Sequence, residues 1–353
     1  MSTTTVEEIK KKEAITDKKS KLLLDSLEIK SYRCFEHLTI EKLGRVNLIV
    51  GKNNVGKTAL LEALWIYSNK GNSEVLAEIT LERNERILNK RESTGAYGFS
   101  ASIYFPAYRH LFYRRPTNYK SEKEPYVGQF EIGSINNKGK KLITKLRKNQ
   151  SPVIESDFRV NYLSDYNSYF IKAHKLKNAE LFELWRNIEL RASEELVINS
   201  LQIIANELIS VRLTEYPEID SPKIPIARIK AVSEPVPLSS LGEGMNRLFA
   251  VALALANCVN GILLIDEVEI GLHYSVFLDI WKLIFKTAQD LNIQVFATTH
   301  SWDCIEAFTQ AAIEDKEAEG MLIRLENKND KIKATTFSEK ELEAVTRRNI
   351  EVR

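Results

Sequence analysis

The run Val46-Asn47-Leu48-Ile49-Val50, followed by Gly51-Lys52-Asn53-Asn54-Val55-Gly56-Lys57-Thr58, decides how this chain is read. Five residues suited to a buried strand lead into an octet matching G-x-x-x-x-G-K-[ST]. Ala59 to Tyr67 then reads as a helix. Strand, loop and helix are the context in which that octet, the Walker A pattern, acts as a phosphate-binding loop. Backbone N–H groups wrap the anion, and the helix N-terminus adds a favourable field. Gly51 and Gly56 let the backbone turn and approach without a Cβ clash. Lys57 would reach the β- and γ-phosphates, and the Thr58 hydroxyl would ligate Mg²⁺. Asn53, Asn54 and Ala59 complete the expected nucleotide cradle.

Three further segments carry chemistry. Gly261-Ile262-Leu263-Leu264-Ile265-Asp266-Glu267 is an apolar strand ending in two acids. Asp266, at the strand's C-terminal edge, would hold Mg²⁺ directly or through water. Glu267, beside it, can accept a proton from attacking water. Ser239-Ser240-Leu241-Gly242-Glu243-Gly244 runs into a helix and reads as an ordinary N-cap turn or as an anion site. As an anion site it cannot serve the phosphates that Lys57 holds unless the chain folds back on itself. Otherwise it serves a neighbour's nucleotide across a dimer. In Phe296-Ala297-Thr298-Thr299-His300-Ser301, a histidine follows a buried strand and lands where ligands of α/β folds bind. His300 reads either as structural or as a hydrogen-bond donor to a γ-phosphate.

Composition sets the class. The chain has 353 residues, 44% hydrophobic and 28% charged, which suits a large core with two lobes. A net charge of +2 demands neither a nucleic-acid nor a membrane partner. No stretch is apolar enough over a bilayer's span. The three cysteines, Cys34, Cys258 and Cys304, form no CxxC pair, which points to a reducing compartment, the cytoplasm. Residues 1–21 are polar and lysine-rich and read as a flexible tail with a short helix at Val6–Glu13.

Along the chain, strands are expected within Leu22–Tyr32, His37–Ile40, Ala101–Phe105, Gly128–Ile132, Lys140–Leu146, Ile224–Ile229, Ile262–Ile265 and Gln294–Thr298. Helices are expected over Ser73–Asn89, Leu181–Val211, Gly244–Ala256 and Val276–Gln289, with a loop around Pro116–Pro125. The βαβ rhythm after residue 240 implies a mainly parallel sheet. Two basic stretches stand out. Tyr108–Lys120 interleaves Arg109, Arg114 and Arg115 with aromatics, and Lys138–Lys148 is lysine-rich. Each reads as a solvated face or as a contact for nucleic-acid phosphates.

The order of Walker A, serine-glycine signature, Walker B with Asp-Glu, then Thr-His resembles the ABC-type ATPase heads, a superfamily that includes the structural-maintenance-of-chromosomes (SMC) proteins and RecF. The finer spelling is similar to the overcoming-lysogenization-defect (OLD) type ATPases. Ile29-Lys30-Ser31-Tyr32-Arg33-Cys34-Phe35, Ser240 to Arg247 and Asp266 to His273 carry it, covering about 22–68 and 236–305. The resemblance implies an α/β P-loop NTPase of ABC-ATPase type, with a mixed, mainly parallel sheet lobe and a helical lobe. After the tail, 22–353 would form one such domain. In it, 22–150 is the Walker A lobe, 151–235 a helical insertion, and 236–353 the lobe with signature, Walker B and switch histidine. It further implies a homodimer that sandwiches ATP and Mg²⁺. In that dimer Ser240 and Gly242 meet the γ-phosphate held by the partner's copy of Lys57. Arg33 lies near the adenine or phosphates, Glu269–His273 forms the dimer seam, and His300 is the switch histidine. Gln129 is the candidate for the Q-loop glutamine. Ser-Leu-Gly-Glu departs from the Leu-Ser-Gly-Gly-Gln of transporter heads and argues against a transporter.

The functional expectation is an ATPase that dimerises on ATP and controls a separate nucleic-acid-acting effector, such as a nuclease, in the style of bacterial anti-phage systems. Only about fifty residues follow His300, short of a typical domain, so a nuclease would be another polypeptide. The alternatives are a RecF-like repair ATPase whose task is DNA binding, and a nucleotide-gated scaffold with little turnover.

Overall fold

The computed structural model describes residues 22–89, 103–115, 126–136, 141–147, 152–156, 167–174, 178–214, 224–230, 232–315, 318–338 and 341–342. The expected tail, its short helix at Val6–Glu13 and the loop at Pro116–Pro125 lie outside them. In chain order the elements begin with β1 (Leu27–Tyr32), β2 (Phe35–Ile40), β3 (Val46–Val50), α1 (Lys57–Ser68), α2 (Ser73–Glu82), β4 (Arg86–Asn89) and β5 (Ile103–Pro106). The middle holds β6 (Tyr126–Gly133), β7 (Lys141–Arg147), β8 (Pro152–Ser156), β9 (Ser168–Ile171), α3 (Asn178–Ile188), α4 (Ala192–Leu201), β10 (Leu208–Thr214), β11 (Ile224–Ile229) and β12 (Val236–Pro237). Then come α5 (Glu243–Asn257), β13 (Ile262–Ile265), α6 (Phe277–Asp290), β14 (Gln294–Thr298), α7 (Trp302–Glu314), β15 (Gly320–Lys328) and β16 (Lys331–Ser338).

A six-stranded sheet in the order β16-β15-β3-β14-β13-β9 organises the molecule. Its strands are parallel except β16, which pairs antiparallel with β15. Every residue of β3, β13 and β14 is buried, as parallel strands covered on both faces must be. Successive side chains leave opposite faces and feed two cores. Leu48, Val50, Leu263, Ile265 and Val295 pack with α3 to α7, whereas Ile49, Ile262, Leu264 and Phe296 pack with α1 and a second sheet. That second sheet is five-stranded, in the order β2-β1-β6-β7-β8, and antiparallel. Helix α1 lies in the second core and is buried on nearly every side, Lys57 and Glu62 included. The phosphate loop that feeds it is therefore held between two sheets.

Several elements differ from expectation. The helix expected over Ser73–Asn89 stops at Glu82. Asn84 takes a left-handed φ of 56°, and β4 then pairs with β5. Asparagine tolerates that conformation better than most residues. The pattern over Leu181–Val211 is two helices and a strand. Leu190, at φ 61°, separates α3 from α4, and β10 pairs with β11. Segment 151–235 thus carries β8 to β11 as well as α3 and α4, and β9 joins the central sheet beside β13. The β15–β16 hairpin turns through Asn329 and Asp330, at φ 53° and 58°, the geometry of a tight two-residue turn. Gln129 lies exposed on β6 and donates to Glu131 at 2.9 Å. Its neighbours Phe130 and Ile132 take the buried face, so alternation turns Gln129 away from the interior.

The antiparallel sheet also concentrates charge. Glu28 on β1 accepts from Lys141 at 2.6 Å and from His37 at 2.9 Å, and pairs with Lys30 at 3.1 Å. Burial alone would lift its carboxyl, but the hydrogen bonds from Lys141, His37 and Lys30 outweigh burial and hold it down to about 2 from its ordinary 4.5. A carboxyl depressed on folding contributes stability that is fully present above its unfolded value and lost as pH falls through the folded one. Between pH 4.5 and about 2, the unfolding free energy of the wild type is therefore expected to fall more steeply than that of Glu28→Gln, as read from urea titrations. Parallel curves would remove Glu28 as a source of acid sensitivity.

Candidate active site

The site grows from the C-terminal edge of the parallel strands, where β3, β13 and β14 release their chains side by side. At the end of the phosphate loop, Gly56 sits at φ 98° and forms the N-cap of α1. A Cβ there would lie 2.7 Å from Cys34 Sγ, so both conformation and space demand glycine. No side chain caps this helix start, which leaves its first N–H groups for an anion. Lys57 Nζ donates to the carbonyls of Gly51 at 2.7 Å and Lys52 at 3.1 Å, and stands 3.5 Å from His300 Nδ1. Burial lowers the lysine's pKa, and the carboxylates of Glu267, Asp266 and Glu269 partly offset this.

Asp266 is the junction. Its carboxylate is buried, and accepts from Thr58 Oγ1 at 3.1 Å and from Thr298 Oγ1 at 2.7 Å. Thr298 Oγ1 accepts in turn from the Glu267 N–H at 2.8 Å. Glu267 holds a left-handed φ of 50°, which a non-glycine residue keeps only where its surroundings impose it. Its Oε1 lies 3.5 Å from His300 Nε2, while the His300 N–H donates to Glu269 Oε1 at 2.6 Å. A buried carboxylate facing a threonine hydroxyl is a hard-oxygen pair that suits Mg²⁺, which takes few protein ligands and completes its shell with phosphate and water. Among the described residues no group of three or more His, Cys, Asp or Glu forms an all-protein metal cage.

Above the loop lies a cavity of about 860 Å³. Asn53, Asn54, Gly56, Lys57, Thr58, Ala59, Arg33, Glu267 and His300 line it, and Asp266 sits beneath Thr58. Arg33, at φ 46°, is anchored by Glu62 at 2.7 Å and Glu85 at 3.0 Å. Burial works against its charge, but Tyr32, Glu62 and Glu85 outweigh it and hold the guanidinium above its ordinary range. Glu62 also takes Arg83 at 2.6 Å. Arg114 and Arg115 line the same cavity, and Lys141 is committed to Glu28. Of the two basic stretches, the second is thus partly engaged in an ion pair and the first partly faces the cavity.

Ser240 and Gly242 do not line this cavity. They are exposed, and Gly242 rather than a serine forms the N-cap of α5, with no side-chain cap bond. The N-cap role for Ser240 is therefore absent. Gly244 packs against the turn after Glu267, where a Cβ would meet Gly271 O at 2.5 Å. The signature start and the 269–273 segment are thus pressed together.

Sequence reading passed over Thr298, Glu62, Glu85 and Arg247 as functional residues. Thr298 was legible as the last polar residue of an apolar strand beside Walker B. The other three matter through partners remote in sequence, which no local pattern reveals.

A family described as "AAA domain, putative AbiEii toxin, Type IV TA system" matches residues 46–303. The chain belongs to this AAA family. An ATP/GTP phosphatase of Helicobacter pylori is 24% identical over 330 residues, covering 82% of this chain and 88% of that protein. A DNA replication and repair protein RecF of Bacillus subtilis is 38% identical over 47 residues, 13% of either protein. The Smc head domain with an extended coiled coil, bound to the C-terminal domain of ScpA and derived from Pyrococcus furiosus, superposes with a TM-score of 0.55. It does so at 12% identity over 93% of this chain and 99% of that one. That likeness shows the fold, a mixed α/β P-loop head. The AAA protein described here is a P-loop ATPase with the fold of an Smc head. Among its described residues no helix is long and apolar enough to cross a membrane.

In this AAA ATPase, Lys57→Ala is expected to weaken ATP binding by about 1.5–3 kcal/mol or more, at least tenfold in affinity, through loss of a charged donor to phosphate. Calorimetry on folded protein measures it. Unchanged affinity would move the nucleotide elsewhere.

Proposed function

We propose that this chain is a Mg²⁺-dependent ATPase whose heads dimerise around ATP and thereby control a separate nucleic-acid-acting effector, in the style of bacterial anti-phage systems. The observation that carries the reading is the convergence of Lys57, Thr58, Asp266, Glu267 and His300 at one sheet edge. The phosphate loop and Lys57 bind the triphosphate, whose oxygens take over the ammonium from the Gly51 and Lys52 carbonyls. Thr58 and Asp266 would hold Mg²⁺, which when bound neutralises charge on the β- and γ-phosphates. Glu267 takes a proton from the attacking water as the new O–P bond forms and the β–γ bridge breaks, giving ADP and phosphate. His300 donates to the γ-phosphate.

The dimer reading rests on the signature segment. Ser240 and Gly242 are exposed and lie outside their own chain's cavity, and no side chain caps the helix start that Gly242 forms. A partner's γ-phosphate is the anion they fit. The abutting turn at 269–273 forms the seam, and the SMC-head fold supports such an assembly. Arg114 and Arg115 facing the nucleotide cavity favour this reading over one in which the basic stretches serve DNA.

Glu267→Gln is expected to bind MgATP normally while turning over at least 100-fold more slowly, the order contributed by a general base, and to accumulate the ATP-bound dimer. Wild-type turnover in a single-turnover assay would place the base elsewhere, with Glu269 the neighbour to test next.

Ser240→Arg is expected to spare ATP binding and block both dimerisation and hydrolysis. Mixed with Lys57→Ala protein it should regain activity, since each heterodimer keeps one site with an intact Lys57 and an intact Ser240. The ATPase rate against mixing ratio reads this out. Monomers at every wild-type concentration with ATP, together with no complementation, would end the sandwich reading.

A further inference from the structure

Arg247 lies early in α5, the helix that starts directly after Ser240 and Gly242. It is only 8% exposed. Among the described residues its guanidinium pairs with no carboxylate. Nη2 instead donates to the carbonyls of Asp266 and Glu267, the latter at 3.1 Å, and Nη1 to the carbonyl of Lys172. Nε has no partner. Burial pulls its pKa down, against the raising effect of Asp266, Glu269 and Glu267. A buried cation satisfied only by carbonyls is a poor device for stability, because desolvation costs more than such contacts return. An apolar side chain of similar volume would fill the same space at lower cost.

What the arginine contributes is geometric. Lys172 follows β9 and Asp266 follows β13, so one side chain clamps the ends of two neighbouring strands. The peptide between Asp266 and Glu267 is held at both poles. Its carbonyl accepts from Arg247, and its N–H donates to Thr298 at 2.8 Å. That plane sets φ at Glu267, which stands in the left-handed region at 50°. Releasing one pole would let the backbone relax toward ordinary conformations and swing the carboxylate away from His300.

We propose that Arg247 is a positioning residue that links the signature helix to Glu267 of its own chain, so that seating Ser240 and Gly242 on a partner's nucleotide aligns the base at the other site. This rests on Glu267 acting as the base in a sandwich dimer. The test compares Arg247→Met, Arg247→Lys and Glu267→Gln in the full chain, each measured for affinity toward a non-hydrolysable ATP analogue, ATP turnover and melting temperature. Arg247→Met is expected to bind the analogue within about twofold of wild type and to lose turnover by roughly 10–100-fold, the scale typical of residues that orient a catalytic group. Arg247→Lys should recover part of that loss, since an ammonium can still donate to one or two of the carbonyls. Adding Arg247→Met to Glu267→Gln should slow turnover no further, because both act through one carboxylate. If Arg247→Met does not fold, Arg247→Lys decides on the same split between turnover and affinity. Wild-type turnover in the folded variant, or an equal fall in affinity and turnover, would overturn the proposal. Rapid turnover by Glu267→Gln would instead overturn the underlying assignment of the base.

Discussion

The carboxylate of Asp266 is the joint on which this molecule turns. It accepts from Thr58 at the head of α1 and from Thr298 at the end of β14. Three elements far apart in sequence thereby meet at one buried anion. Leaving such a carboxylate without donors would be costly in a dry interior, so the helix, the strand and the phosphate loop hold each other in register. The same anion suits Mg²⁺ because it is a hard oxygen group bonded to the hydroxyl of Thr58, which lines the cavity.

Behind that joint stands a sheet buried on both faces. Alternation along β3, β13 and β14 sends successive side chains into two separate cores, and neither layer can shift without opening the other. This gives the site a rigid floor, against which a left-handed Glu267 can be maintained. The more polar wall of the cavity is built differently. Arg33, Glu62, Glu85 and Arg83 form a chain of ion pairs on α1 and the turns after β1 and α2. Arg33 Nη2 and Glu85 Oε2 remain without hydrogen bonds inside it. Those unsatisfied atoms lie on two residues that line the cavity.

Legibility followed the range of the interactions. The phosphate loop, the Walker B strand and helices α5 and α6 were readable because each is specified by its own residues: glycines, a continuous apolar run, or a helical period. Leu208–Val211 was misread as helix because its few apolar residues fit either period, and only pairing with β11 resolves it. Arg86–Asn89 is resolved as strand in the same way, by pairing with β5 further along the chain. The β15–β16 hairpin carries a local turn signal in Asn329-Asp330. Strand alternation turns Gln129 away from the face that Phe130 and Ile132 bury.

Among the site residues, the sequence by itself determined those whose chemistry is local. Lys57 and Thr58 close a loop whose glycines and following helix suit an anion, and Asp266 and Glu267 follow a continuous apolar run. The tertiary structure alone decided which groups hold them. That Thr298 supports Asp266, that Glu62 and Glu85 anchor Arg33, and that Arg247 clamps the Asp266–Glu267 peptide depends on strand order and helix packing. Those contacts join residues about 20 to 50 positions apart or bridge neighbouring strands. Periodicity reports which face a residue occupies, and carries no information about the partner waiting there.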